Sequence, residues 1–184
     1  MKMTAHFFDI SGVALLEPEV YTDERGYFSV VYEKSDFLLS DRPFIQDNES
    51  KSKYGVLRGL HFQTGEYAQA KLVRCVKGKI QDVVVDLRPD SPTYGEYVSV
   101  ILSEENHYQL YVPRGFAHGF VVLSDEAIVN YKCDNVYAPP YEGGIIWNDP
   151  DINIEWLVPE EDIILSNKDS KHLTLKVLRD CGKI

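Results

Sequence analysis

The sequence has no run approaching the ~18 apolar residues of a membrane span, and its opening residues, Met1 to His6, form no apolar signal core. No membrane partner is expected. Cysteine is sparse: Cys75, Cys133 and Cys181 are scattered, odd in number and never spaced as CxxC, which excludes a disulfide framework or a zinc knuckle. Reduced thiols in a cytoplasmic protein are the natural expectation. Basic residues are also outnumbered, 19 Lys and Arg against 29 Asp and Glu. The resulting net charge of −10 opposes non-specific binding to nucleic acid or an anionic surface, so any anion must be held locally. Helical periodicity is faint, at residues 34–40 and around 159–165. No glycine-rich dinucleotide fingerprint follows any strand-like run, which disfavours a nicotinamide-dependent reductase.

What is present is β pattern. With 44 % hydrophobic and 12 % aromatic residues in 184, the chain reads as one globular domain over 1–184. Short strand-like runs at 13–20, 26–33, 45–50, 56–63, 68–76, 79–87, 97–102, 108–112, 119–122 and 127–133 are separated by turn signals. Lys77-Gly78 reads as the clearest hairpin turn. Strands at this spacing predict an all-β jelly roll or barrel with a few short helices. Residues 139–171 turn loop-like, with Pro139-Pro140, Gly143-Gly144 and Asn148-Asp149-Pro150, and are expected to lie over the barrel mouth.

Within this pattern, Arg58-Gly59-Leu60-His61-Phe62-Gln63 sets a guanidinium and an imidazole three residues apart on a half-buried strand. Strict alternation puts His61 and Gln63 on one face and Arg58 on the other, but a strand glycine often marks a bulge, and Gly59 is placed to make one. In the next run, alternation lets only one of Lys71 and Arg74 share a face with His61. Such a pocket suits an anionic substrate. Against this stands the plain alternative that a strand histidine is a satisfied core group.

A second histidine closes Pro113-Arg114-Gly115-Phe116-Ala117-His118, the P-x-G-x-x-H pattern of cupin barrels. Metal-binding cupins add a histidine pair one residue apart, but here that pair reads His61-Phe62-Gln63. His61, His118 and Glu66 alone make a poor ligand set, so neither metal nor cofactor is expected and the imidazoles are left for proton chemistry.

Many ordered motifs then converge. Gln46-Asp47-Asn48, Arg58 to Gln63, Lys71 to Arg74, Asp82 to Arg88, Ser91 to Gly95, Gly115 to Phe120, Tyr131-Lys132, Trp147 to Pro150 and Ser166 to Asp169 resemble the dTDP-4-dehydrorhamnose 3,5-epimerase family of the cupin superfamily. The likeness runs from about Gly12 to Asp169. It implies a cupin double-stranded β-helix and inversion of C3 and C5 of a dTDP-4-keto-6-deoxyhexose, by proton removal alpha to the ketone and return on the opposite face. A C3-only or C5-only epimerase, or a sugar-binding cupin without turnover, keeps the same scaffold.

By position, the resemblance implies His61 as base, Asp169 as the carboxylate orienting it, Tyr131 as acid on the other face and Lys71 as the cation near the enolate oxygen. It places Arg25, Phe28, Gln46, Asn48, Arg58, His118, Glu142 and Lys168 on the substrate side, with Arg25 reaching in from the neighbouring subunit of a homodimer. Each position has a plainer alternative: Tyr131 as one of twelve tyrosines, Asp169 as a cap, Lys71 as a solvated charge, and His118 with Asp82 as a structural pair. Val30 stands where many members carry a glutamate.

Overall fold

Alternating apolar residues become strands here because each strand has one face to bury. In the computed structural model, which describes residues 3–184, thirteen strands follow in order: β1 Met3–Phe7, β2 Ala14–Pro18, β3 Val20–Asp23, β4 Gly26–Ser29, β5 Gln46–Lys53, β6 Leu57–Gln63, β7 Lys71–Lys77, β8 Lys79–Asp86, β9 Tyr97–Ser103, β10 Gln109–Val112, β11 Phe116–Val122, β12 Glu126–Cys133 and β13 Glu142–Gly144. Met1 and Lys2, at the head of the segment inspected for a signal core, lie outside the described residues.

Two antiparallel sheets face each other, one ordered β1-β2-β10-β7-β12-β5 and the other β13-β6-β11-β8-β9. β3 and β4 form a separate two-stranded arm. Between the sheets lies a core that includes Val73, Cys75, Ile80, Val84, Leu110, Phe120 and Val129, each large aliphatic contributing about 1.5–3 kcal/mol by leaving water. This is the expected cupin jelly roll. Among the described residues no helix is long and apolar enough to cross a membrane.

Two local expectations are corrected. Lys77-Gly78 is not a hairpin turn, because β7 pairs with β10 and β12 while β8 pairs with β11 and β9. The chain instead crosses from one sheet to the other at Gly78, whose φ of 78° needs glycine and whose added Cβ would fall 2.2 Å from the Glu126 carbonyl. Residues 34–40 also form turns rather than a helix. Phe37 is held there in an aromatic cluster with Tyr32, Phe44 and Tyr111, at ring separations of 5.3–5.8 Å, and tertiary packing overrides weak helical preference. Residues 160–162 make one 3-10 turn. The single α-helix among the described residues, α1 Leu175–Asp180, starts where the Thr174 hydroxyl accepts from Val177 N–H and Asp149 Oδ2 accepts from Leu175 N–H.

Candidate active site

At one end of the barrel the inner faces of both sheets turn from apolar to polar, and there the sequence motifs meet. On β12, Ala127 and Val129 are core residues, and the next two inward positions are Tyr131 and Cys133. On β7, Cys75 and Val73 lead to Lys71. Register sets Tyr131 opposite Asn48, and Cys133 opposite both Gln46 and Lys71. These five side chains form one wall of a cavity of about 320 Å³. His61, Gln63 and Glu142, from β6 and β13, form the other. Arg74 falls on the opposite face from Lys71, as alternation requires.

β6 delivers His61 through an irregularity. His118 pairs with His61 and Phe120 with Arg58, so two residues of β6, Gly59 and Leu60, face one residue of β11. That is the anticipated bulge. Gly59 sits at φ 116°, and a Cβ on it would meet Gly119 Cα and His118 O at 2.7 Å, so only glycine fits. The bulge leaves Arg58 exposed and tied to β5, donating from Nε to Ser52 Oγ at 3.0 Å. Arg58 does not line the cavity.

His61 Nε2 donates to Asp169 Oδ1 at 2.5 Å. Ser166 holds that carboxylate in turn, its hydroxyl donating to Oδ2 at 2.9 Å while its oxygen accepts from Asp169 N–H at 3.0 Å. Burial pushes the Asp169 carboxyl up, but the His61 hydrogen bond and charge, Ser166 and the charge on His172 outweigh it and hold it below its ordinary value. Asp169 is therefore ionised at neutral pH, and it faces His61 rather than capping a helix.

On the other wall, burial raises the Tyr131 phenol, reinforced by Cys133 and opposed by the charge on Arg58, so it stays a proton donor at neutral pH. Burial lowers the Lys71 ammonium, against the pull of Cys133, Asp82 and Glu142. Gln46 Nε2 donates to Asn48 Oδ1 at 2.8 Å, and Asn48 Nδ2 points to Cys133 Sγ at 3.7 Å. Glu142 accepts from Tyr137 Oη at 2.7 Å and pairs with Lys168 at 2.5 Å. Burial raises its carboxyl, and Lys168, Tyr137 and the His61 charge overcome that to lower it.

The remaining anticipated residues stand outside the lining. His118 is buried, its Nε2 meeting both oxygens of Asp82 at 2.9 and 3.0 Å. Arg25 and Phe28 lie exposed on the β3–β4 arm, where Arg25 pairs with Asp23 at 2.5 Å. Gln63, which stands where metal-binding cupins carry a second histidine, uses its amide on backbone, donating to Tyr67 O and Val136 O and accepting from Ala138 N–H, and Glu66, the weakest of the candidate ligands, sits exposed in a 3-10 turn. The loop-like tail does reach the site, supplying Glu142, Lys168 and Asp169.

Sequence reasoning missed Cys133, Gln69 and Tyr137 in the lining, and His172 beside it. Cys133 was findable, two residues beyond Tyr131 on one strand face. His172 packs edge-on against His61, with ring centroids 5.5 Å apart. Room for it comes from Gly144, the cross-strand partner of His61, because a Cβ there would lie 2.3 Å from His172 Nε2.

The chain has clear relatives. The dTDP-4-dehydrorhamnose 3,5-epimerase family model matches residues 8–177. A dTDP-4-dehydrorhamnose 3,5-epimerase of Methanothermobacter thermautotrophicus is 55 % identical over 163 residues, 87 % of this chain and 88 % of that one. Among solved structures, a Legionella pneumophila dTDP-6-deoxy-D-glucose-3,5-epimerase in complex with dTDP-4-keto-L-rhamnose superposes with a TM-score of 0.94 at 42 % identity, covering 99 % and 97 % of the two chains. A 3'-monoepimerase of Streptomyces bikiniensis bound to dTDP-quinovose gives a TM-score of 0.91 at 33 % identity, covering 97 % and 91 %. A cupin barrel whose polar end matches the motif set, and sequence likeness along nearly its whole length, place this chain in the dTDP-4-dehydrorhamnose 3,5-epimerase family.

Proposed function

We propose that the protein inverts C3 and C5 of a dTDP-4-keto-6-deoxyhexose, with His61 and Tyr131 exchanging protons with opposite faces of the sugar. The observation that carries this reading is that the two side chains line one cavity from opposite sheets. His61 takes the proton alpha to the ketone, and the electron pair moves onto the ketone oxygen as an enolate. Asp169, ionised beside it, favours the imidazolium that results. Lys71 lies on the Tyr131 wall and stabilises the enolate oxygen. Tyr131 then gives its proton to the carbon from the other side, and both groups recover their starting states by exchange with water.

The cavity is at the small end of ligand sites, which span roughly 300–1,000 Å³, and suits the sugar while the nucleotide lies outside it. Gln46, Asn48 and Glu142 serve as sugar contacts. Lys168 sets Glu142, and Arg58 and His118 support the walls. The exposed Tyr27 and Phe28 on the β3–β4 arm favour a homodimer in which Arg25 and Phe28 meet the partner's substrate. Three free thiols fit a cytoplasmic setting.

Tyr131→Phe run in deuterated water tests the mechanism. Proton removal by His61 should continue while inversion fails, so deuterium should enter C3 and C5 faster than epimer appears by NMR. Exchange and inversion falling in equal proportion would remove Tyr131 as the second-face acid. Label confined to one carbon would indicate a single-centre epimerase.

A further inference from the structure

We propose that His61, Asp169 and His172 form a binding site for zinc, and that zinc held there silences the enzyme reversibly by occupying the nitrogen through which Asp169 governs His61. The three ligand atoms, two imidazole nitrogens and one carboxylate oxygen, lie within 4.8 Å of one another. His172 Nε2 is buried and has no hydrogen-bond partner. It stands 3.3 Å from Asp169 Oδ1, within ion-pair reach but outside hydrogen-bond alignment, so among the described residues the site holds a nitrogen donor with no hydrogen bond of its own. A buried polar atom without a partner is uncommon, and the proposed mechanism does not need this one.

The chemistry selects the ion. Two imidazoles and a carboxylate suit zinc and its first-row neighbours, whereas magnesium and calcium prefer oxygen. Zinc bonds of about 2.0–2.2 Å set tetrahedral ligands roughly 3.4 Å apart. The Asp169 and His172 atoms already match that at 3.3 Å. The His61 and Asp169 atoms, at 2.5 Å, must part by about 0.9 Å as zinc replaces the proton between them and that proton leaves to solvent. Ser166, donating to the other Asp169 oxygen, supplies the outer support that metal-binding carboxylates have. The His61 side chain keeps 30 % of its surface while Asp169 keeps 6 %, so an ion would reach the group from the His61 side.

The site shares residues with the mechanism but is measurable without turnover, so either can fail alone. Protein treated with EDTA should keep its full rate. Cobalt(II), added without substrate as an optical probe, should give the intense visible bands of a four-coordinate ion at one per chain. His172→Gln should weaken that binding at least ~10-fold, and so should His61→Asn, a second deletion that keeps the experiment decisive if the first does not fold. In turnover assays zinc should inhibit and EDTA should restore. For His172→Gln, normalised to its own zinc-free rate, the inhibiting concentration should rise at least ~10-fold. A weak six-coordinate cobalt spectrum, equal zinc inhibition of the variant, or zinc that activates would overturn the proposal.

Discussion

Two imidazole–carboxylate pairs stand side by side in this barrel, and they are built differently. His61 and His118 are cross-strand neighbours. The partner of His118 is Asp82, on the adjoining strand of the same sheet, with no exposed side-chain surface. His61 instead pairs with Asp169, 108 residues away on the tail, through one short hydrogen bond. A pair made inside a sheet is locked on both sides by the ladder and belongs to the core. When a strand and a returning tail share the pair, one edge stays open to the cavity, where a proton can come and go.

Substitution should separate the pairs most sharply. His61→Asn should lower turnover at least ~10²-fold with little change in melting temperature. Asp82→Asn, which leaves buried groups poorly matched, should cost about 1–3 kcal/mol. For a chain of this size that is about 2–4 °C per kcal/mol. Steady-state kinetics and thermal melts on both variants make the comparison. Equal turnover losses with unchanged melts would erase the distinction.

A smaller effect should follow from Gly144→Ala, which touches His172 beside the open pair. The new Cβ would press on the His172 ring, 2.3–2.6 Å away, at an overpacking cost of about 1–3 kcal/mol. Adding His172→Ala removes what the methyl strikes, so the double variant should regain most of the lost melting temperature. If it recovers none, the glycine serves something other than the histidine.

The last change is read from how it fades in acid. Asp86 is a buried carboxylate without an imidazole, four residues beyond Asp82 on β8. Burial raises its carboxyl, yet Arg88, Ser91 and Thr93 overcome this and hold it well below the ordinary range. Because the folded value is depressed, its contribution is present above the unfolded pKa of about 3.9 and is lost as pH falls towards the folded one. Asp86→Asn should therefore melt below wild type at pH 7, with the gap closing below about pH 4. A gap constant from pH 7 to 3 would show that the arginine network does not depend on charge.

Alternation alone made much of this site legible. It placed Lys71 and Arg74 on opposite faces, put Tyr131 on a strand, and flagged Gly59 as the irregularity beside His61. Pairing between distant segments was not legible. The Gly78 crossing resembles a hairpin in sequence because glycine offers the same positive φ to either, and only the neighbours of β7 and β8 tell them apart. β1 fully buries none of its residues and so shows no apolar face, β13 and α1 are too short for periodicity to register, and α1 begins on a carboxylate 26 residues upstream. His172 carries no local pattern. Its place depends on the missing side chain of Gly144, on a strand it meets only through folding.

The wall opposite His61 has a use beyond catalysis. Gln46, Asn48, Tyr131 and Cys133 alternate with Asp47 and Lys132, which pair with each other on the outer face, so the strip can be redesigned without disturbing that surface or the apolar half beyond Val129. A library restricted to Gln46, Asn48 and Cys133 would recontour the side of the chamber that carries Tyr131, leaving His61 and Asp169 untouched. The barrel thus offers protein engineers an interchangeable face on a fixed chassis, suited to teaching one epimerase to accept differently substituted keto sugars.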